Sequence, residues 1–191
     1  ASVRPLDTWK PMPHYVAFFG SINVGANRLT MADLRWAFER EGFEQVETVV
    51  ASGNVLFAFD ERPTAGLEEL FAHMMAERFD IASFVAVRNR AEVATAIGEN
   101  PFAADGAENL VHTQFLGGQP GPAQFADLVA AYAGRGPERL ALGDRSLYID
   151  YVDGVGNSRL TGAFIERRLG FPGTARNLRS LRRILDKMDE N

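Results

Sequence analysis

The sequence predicts an α+β protein, a ferredoxin-like βαββαβ unit fused to a second, related α+β half that ends in two C-terminal helices. Three observations carry this. Short runs rich in β-branched and aromatic residues alternate with longer amphipathic stretches, the sign of strands interleaved with helices. Turn chemistry at Ser52-Gly53-Asn54 and at Gly143-Asp144 splits paired runs into hairpins. The order strand, helix, hairpin, helix occurs twice within 191 residues, although the two halves share no residue-level identity. The expected division is an N-terminal extension at 1–13, a ferredoxin-like half at 14–89 and a second half at 90–191 with a terminal amphipathic helix.

In the first half, His14 to Ser21 is apolar and too short for a helix, so it reads as a buried strand closed by Gly20. Thr30-x-x-Asp33 is a capping-box-like start, and Leu34, Ala37 and Phe38 then recur at helical spacing until Gly42 stops the helix. Gln45 to Ala51 and Val55 to Phe59 form the hairpin about Ser52-Gly53-Asn54. Thr64 is placed to cap a helix whose Leu67, Leu70, Phe71, Met74, Met75 and Phe79 make a broad apolar face. Phe84 to Arg88 returns as a strand.

The second half opens with a short helix near Ala91 to Ile97. A strand at Val111 to Leu116 follows, then a helix at Pro122 to Ala133 and a hairpin of Glu138 to Leu142 with Ser146 to Tyr151. A helix is expected from about Ser158 to Leu169. Phe171-Pro172-Gly173 then breaks the chain before a last helix from about Thr174 to Met188. On a helical wheel Leu178, Leu181, Leu185 and Met188 lie opposite Arg176, Arg179, Arg183 and Lys187. From Glu166 to Lys187 seven Lys/Arg stand against two acids, so a chain of net charge -5 carries a basic final stretch. Such a stretch is ordinarily the solvated face of a docked helix, and a surface that faces an anion or a protein partner is the alternative.

Composition excludes several chemistries. With no cysteine there can be no disulfide, thiolate metal site or cysteine nucleophile. His14, His73 and His112 are the only histidines and lie far apart in sequence, so no metal site and no cofactor is expected. No apolar run approaches the ~20 residues of a membrane span and the opening segment lacks a signal-peptide core, so a cytoplasmic location is expected. The acidic balance argues against a nucleic-acid partner. Tyr15 and Phe19 on the first strand, with Phe57 and Phe59 on the third, could imitate the base-stacking aromatics of an RNA-recognition sheet. The basic opening of that motif's third strand is missing, and the same aromatics suit a core.

Three polar, glycine-bearing loops carry the candidate site: Asn23 to Asn27 with Gly25, Asp153 to Ser158, and Pro172 to Asn177. Each is expected to feed a helix N-terminus, where free N–H groups and the helix dipole suit phosphate or carboxylate. Turn and cap formation accounts for the same residues. None completes a dinucleotide or phosphate-loop motif, and no Gly-x-Ser-x-Gly elbow is present.

With these pieces placed, the sequence resembles a bacterial family known as domain of unknown function 1697. The resemblance rests on Tyr15 to Asn27 with Met31 to Arg35, Thr48 to Phe57 about Ser52-Gly53-Asn54, Asn100-Pro101-Phe102, and Gly156 to Leu160 with Thr174 to Asn177. It implies an α+β fold of ferredoxin-like character and no established activity. The chain departs from the family pattern at Gly20-Ser21, where Arg-Gly is usual, and at Val49, Ala51 and Leu178.

The functional expectation is a binding module. A cleft between the halves would hold a small anionic ligand, a nucleotide or phosphorylated metabolite, through Asn23, Gly25, Asn27, Ser52, Gly53, Asn54, Ser158, Arg176 and Asn177. Arg176 would pair the anion and the asparagines would orient it. The competing expectation is an enzyme that uses the same cleft without metal or cysteine, with Ser52 or Ser158 as nucleophile and a carboxylate brought near by folding.

Overall fold

The structure is a computed structural model and describes residues 12–20, 29–50 and 53–190. In the first half β1 (His14–Phe19), α1 (Met31–Arg40), β2 (Glu44–Thr48), β3 (Asn54–Ala58), α2 (Thr64–Phe79) and β4 (Val85–Asn89) form an antiparallel sheet of order β2-β3-β1-β4. After α3 (Arg90–Gly98), the second half contains β5 (Val111–Leu116), α4 (Pro122–Tyr132), β6 (Arg139–Gly143), β7 (Ser146–Asp150), α5 (Gly162–Leu169), β8 (Gly173–Asn177) and α6 (Leu178–Asp189). Its sheet has order β6-β7-β5-β8, the same topology as the first.

Local chemistry explains most boundaries. The α1 capping box forms, with Thr30 Oγ1 accepting from Asp33 N–H at 3.0 Å and Asp33 accepting from Thr30 N–H. Three expected starts move. Pro63 rather than Thr64 is the N-cap of α2, so the Thr64 hydroxyl is released for other partners. Thr161 caps α5 by accepting from Phe164 N–H, and Ser158 lies upstream in the loop. The segment 173–177, expected as the first turn of the last helix, is the strand β8, pairing antiparallel with β5 from His112↔Asn177 to Leu116↔Gly173. Asn177 then caps α6 by accepting from Ser180 N–H at 2.8 Å. The second half therefore completes its own βαββαβ order before its last helix.

Strand alternation sends each sheet's side chains to two different cores. Tyr15, Ala17, Phe19, Val55 and Phe57 pack under α1 and α2 against Leu34, Phe38 and Phe71. Leu116, Leu147 and Ile149 pack under α4 and α5 against Leu128, Ile165 and Leu169. The opposite face of the first sheet, Val16, Phe18, Leu56 and Ala86, meets Phe115 of the second sheet, with α3 and α6 filling the edge through Val93, Ala96, Leu181, Ile184 and Met188. Phe18 and Phe115 stack across this seam at 4.6 Å. The aromatics that could imitate an RNA platform are thus accounted for: Tyr15, Phe19 and Phe57 are buried beneath helices, Phe59 packs at the edge of the same core, and the sheet's other face is covered.

The outward face of α6 spends much of its charge within the chain. Arg179 and Arg182 both reach Glu108, Lys187 reaches Glu190, and Asp189 pairs with Arg90. Leu178, Leu181, Ile184 and Met188 are buried, so the helix is docked as core. No described helix is long and apolar enough to cross a membrane.

Candidate functional site

The seam between the two sheets gathers most of the buried polar chemistry. Arg176 projects from β8 toward the first half, and all five of its N–H donors are used. Nε donates to Asn54 Oδ1 at 2.7 Å, Nη1 to Thr174 Oγ1 and Ala175 O at 2.9 Å each, and Nη2 to Phe19 O at 2.9 Å and Gly53 O at 3.1 Å. The guanidinium also lies over Phe18, 5.4 Å from the ring centroid. Every acceptor is neutral, and no carboxylate among the described residues pairs with it. Burial pulls its pKa down to about 10.

Gly53 is fitted to this contact. Its φ is +93°, in the left-handed region, and a Cβ there would stand 3.3 Å from both Arg176 Nη2 and Phe19 O. Three of the four segments singled out in the sequence meet here: the end of β1, Gly53-Asn54 and Arg176. The fourth, Asn100-Pro101-Phe102, packs elsewhere with Val111, Tyr148 and Leu178. There Asn100 Oδ1 accepts from Phe102 N–H at 3.0 Å, while its buried Nδ2 has no partner among the described residues.

The remaining candidates separate. Asn177 is occupied as the α6 cap. Ser158 donates to Glu138 Oε1 at 2.6 Å and accepts from Leu160 N–H at 3.1 Å, while Tyr132 donates to the other Glu138 oxygen. Desolvation pushes the Glu138 carboxyl up, but the two hydroxyls outweigh it and hold the group below the ordinary glutamate range. A carboxylate so held is a poor base for Ser158, and the arrangement straps the 152–160 loop to Glu138, the residue just before β6. Asn23, Gly25, Asn27 and Ser52 lie outside the described residues. Among the described residues no group of three or more His, Asp or Glu could hold a metal.

On the other side of the Phe18–Phe115 stack lies a second polar cluster, which sequence reasoning missed. Arg88 of β4 lies over Phe115 at 5.2 Å and donates from Nη1 to Glu68 Oε1 at 2.6 Å. Arg145, in the two-residue turn between β6 and β7 with φ +45°, crosses from the second half and donates to the same oxygen at 2.7 Å and to Thr64 Oγ1 at 3.0 Å. Arg88 Nη2 in return reaches the carbonyls of Leu116 and Arg145. Burial pushes the Glu68 carboxyl up against the pull of Arg88 and Arg145. One buried carboxylate thus joins the halves through two arginines. The only available signal in the sequence was Arg88 at an inward position of the Val85–Asn89 strand.

A model of a family described as "Protein of unknown function (DUF1697)" matches residues 12–148. That span contains Gly53, Asn54, Arg88 and Arg145 and stops short of Ser158, Arg176 and Asn177. No curated protein is significantly similar to the chain. Among solved structures, the conserved bacterial protein SP0830 from Streptococcus pneumoniae is similar at 20% identity with a TM-score of 0.67, over 93% of this chain and 99% of that one. At that identity the likeness supports the fold.

Proposed function

For a chain that belongs to the DUF1697 family of proteins of unknown function, we propose binding of a small anionic ligand in the seam between the two halves, beside Arg176. The supporting observation is the Arg176 charge itself. A guanidinium largely withdrawn from water and, among the described residues, met only by neutral oxygens carries an unmet electrostatic cost, which an arriving anion relieves. Its five bonds fix the plane of the group, so the charge is held in place before any ligand arrives. A nucleotide or phosphorylated metabolite is the class that such a charge selects.

Thermal unfolding with a set of nucleotides and sugar phosphates, each against sodium chloride of matched ionic strength, tests this reading. A ligand of the proposed class raises Tm beyond the salt control, Arg176→Lys retains part of the rise, and Arg176→Gln, confirmed folded by circular dichroism, loses it. Stabilisation no greater than that of salt, or a full rise in Arg176→Gln, would overturn the proposal.

A further inference from the structure

Beside the Glu68 cluster, a partly enclosed cavity of about 150 Å³ runs in from the outer side of α3. Ala91 and Thr95 of α3 and Asp144 of the β6–β7 turn stand at its mouth, all exposed. Arg88, Phe115, Ser146 and Tyr148 lie deeper and are buried. Tyr148 is only 3% exposed as a residue and lines the cavity, and its hydroxyl has no hydrogen-bond partner among the described residues. A hydroxyl left open on a cavity wall can donate to a group that arrives from solvent. Among the described residues Arg88 and Arg145 use only their terminal nitrogens, so an Nε–H donor remains on each.

The charges around this space do not suit a plain anion. The two guanidiniums already share Glu68, Glu92 lies 3.5 Å from Arg145, and Asp144 at the mouth has no cationic partner among the described residues. Donors for a carboxylate therefore lie inside, and acceptors for a cation lie at the rim. At about 30 Å³ per water, the volume equals about five waters, well under the ~300 Å³ at which pockets for nucleotide-sized ligands begin. The inner wall is partly apolar, formed by Phe115 and Ala96.

We infer that this cavity is a binding site for a small zwitterionic amino acid. The ligand carboxylate is received by Arg88 and the Tyr148 hydroxyl, the ammonium by Asp144 and Glu92, and a side chain no larger than a few atoms rests on Phe115. The site is separate from the Arg176 junction and does not depend on the reading offered there.

Calorimetric titration of the full chain with glycine, L-alanine and L-serine tests the inference, with propionate and ethylamine as the two halves of alanine. At least one amino acid should bind saturably, with propionate and ethylamine each weaker by about tenfold or more, the factor carried by one hydrogen bond to a charged group. Tyr148→Phe keeps the ring in the core and removes only the unpartnered hydroxyl, so it should weaken binding about tenfold at unchanged thermal stability. Arg176→Gln should leave this binding intact while abolishing any nucleotide response. No saturable binding of the three amino acids, propionate binding as tightly as alanine, or undiminished binding in a folded Tyr148→Phe variant would each overturn the assignment.

Discussion

Replacing Arg176 by Met asks whether this side chain clamps the two sheets together. Met keeps an unbranched apolar stem and deletes the five N–H donors that reach Asn54, Thr174, Ala175, Phe19 and Gly53. At about 1 kcal/mol net per hydrogen bond, the lost bonds amount to about 5 kcal/mol. The same change also removes a charge that the site disfavours. The drop to about 10 corresponds to roughly 3 kcal/mol against the charged form, reduced to about 2 because the residue is only partly buried. The expected net loss is therefore about 3 kcal/mol. Urea unfolding followed by far- and near-ultraviolet circular dichroism reads it directly, and the fall in Tm should be about 6–12 °C for a chain of this size. A loss below about 0.5 kcal/mol would refute the clamp, because the bonds would then contribute no more than relief of the buried charge returns.

Two further outcomes follow from the described contacts. His112 pairs Nδ1 with Leu110 O at 3.1 Å, and burial holds its imidazole below the ordinary value, so the unfolded chain takes up the proton first as pH falls. Its contribution is fully present above about pH 6.5 and is lost on acidification toward the folded value; His112→Phe should flatten the urea midpoint across that window, and equal slopes in the two proteins would contradict this. Ser158→Ala removes the bond to Glu138 and the acceptor for Leu160 N–H, costing about 1–2 kcal/mol and speeding hydrogen exchange at Leu160. Unchanged exchange there would show that the loop is held by other contacts.

Elements with local chemical signatures were legible in the sequence. Thr30 and Asp33 close the α1 box within three residues, and the β6–β7 turn needs only its own two residues. β8 was not legible because Thr174-Ala175-Arg176-Asn177 runs without interruption into the helix, and an arginine facing a sheet interior looks like one stripe of an amphipathic helix. What makes that arginine tolerable is a set of oxygens up to 157 residues away in sequence, which no local pattern reveals. Ser158 and Thr161 are both competent caps, and only the backbone decides between them. Gly53, Asn54 and Arg176 were singled out for ligand contact, and the structure brings them together as partners of one another. Arg88, Arg145 and Tyr148 escaped notice because each is unremarkable in its own strand or turn. They become a cluster only when one sheet is laid upon the other.

The position of β8 and α6 also sets the order in which this molecule can be made. The first sheet holds all its strands by residue 89, yet its inner face of Val16, Phe18, Leu56 and Ala86 is covered by Phe115 and α6. On the ribosome that apolar face waits through about 90 further residues, or roughly 5–20 seconds at ordinary synthesis rates. The Arg176 bonds that lock the seam span 122 to 157 residues, so they form only after the longest loops have closed. A ribosome-bound chain ending at residue 172 should accordingly behave as a sticky intermediate and draw on chaperones, whereas one that has released α6 should not.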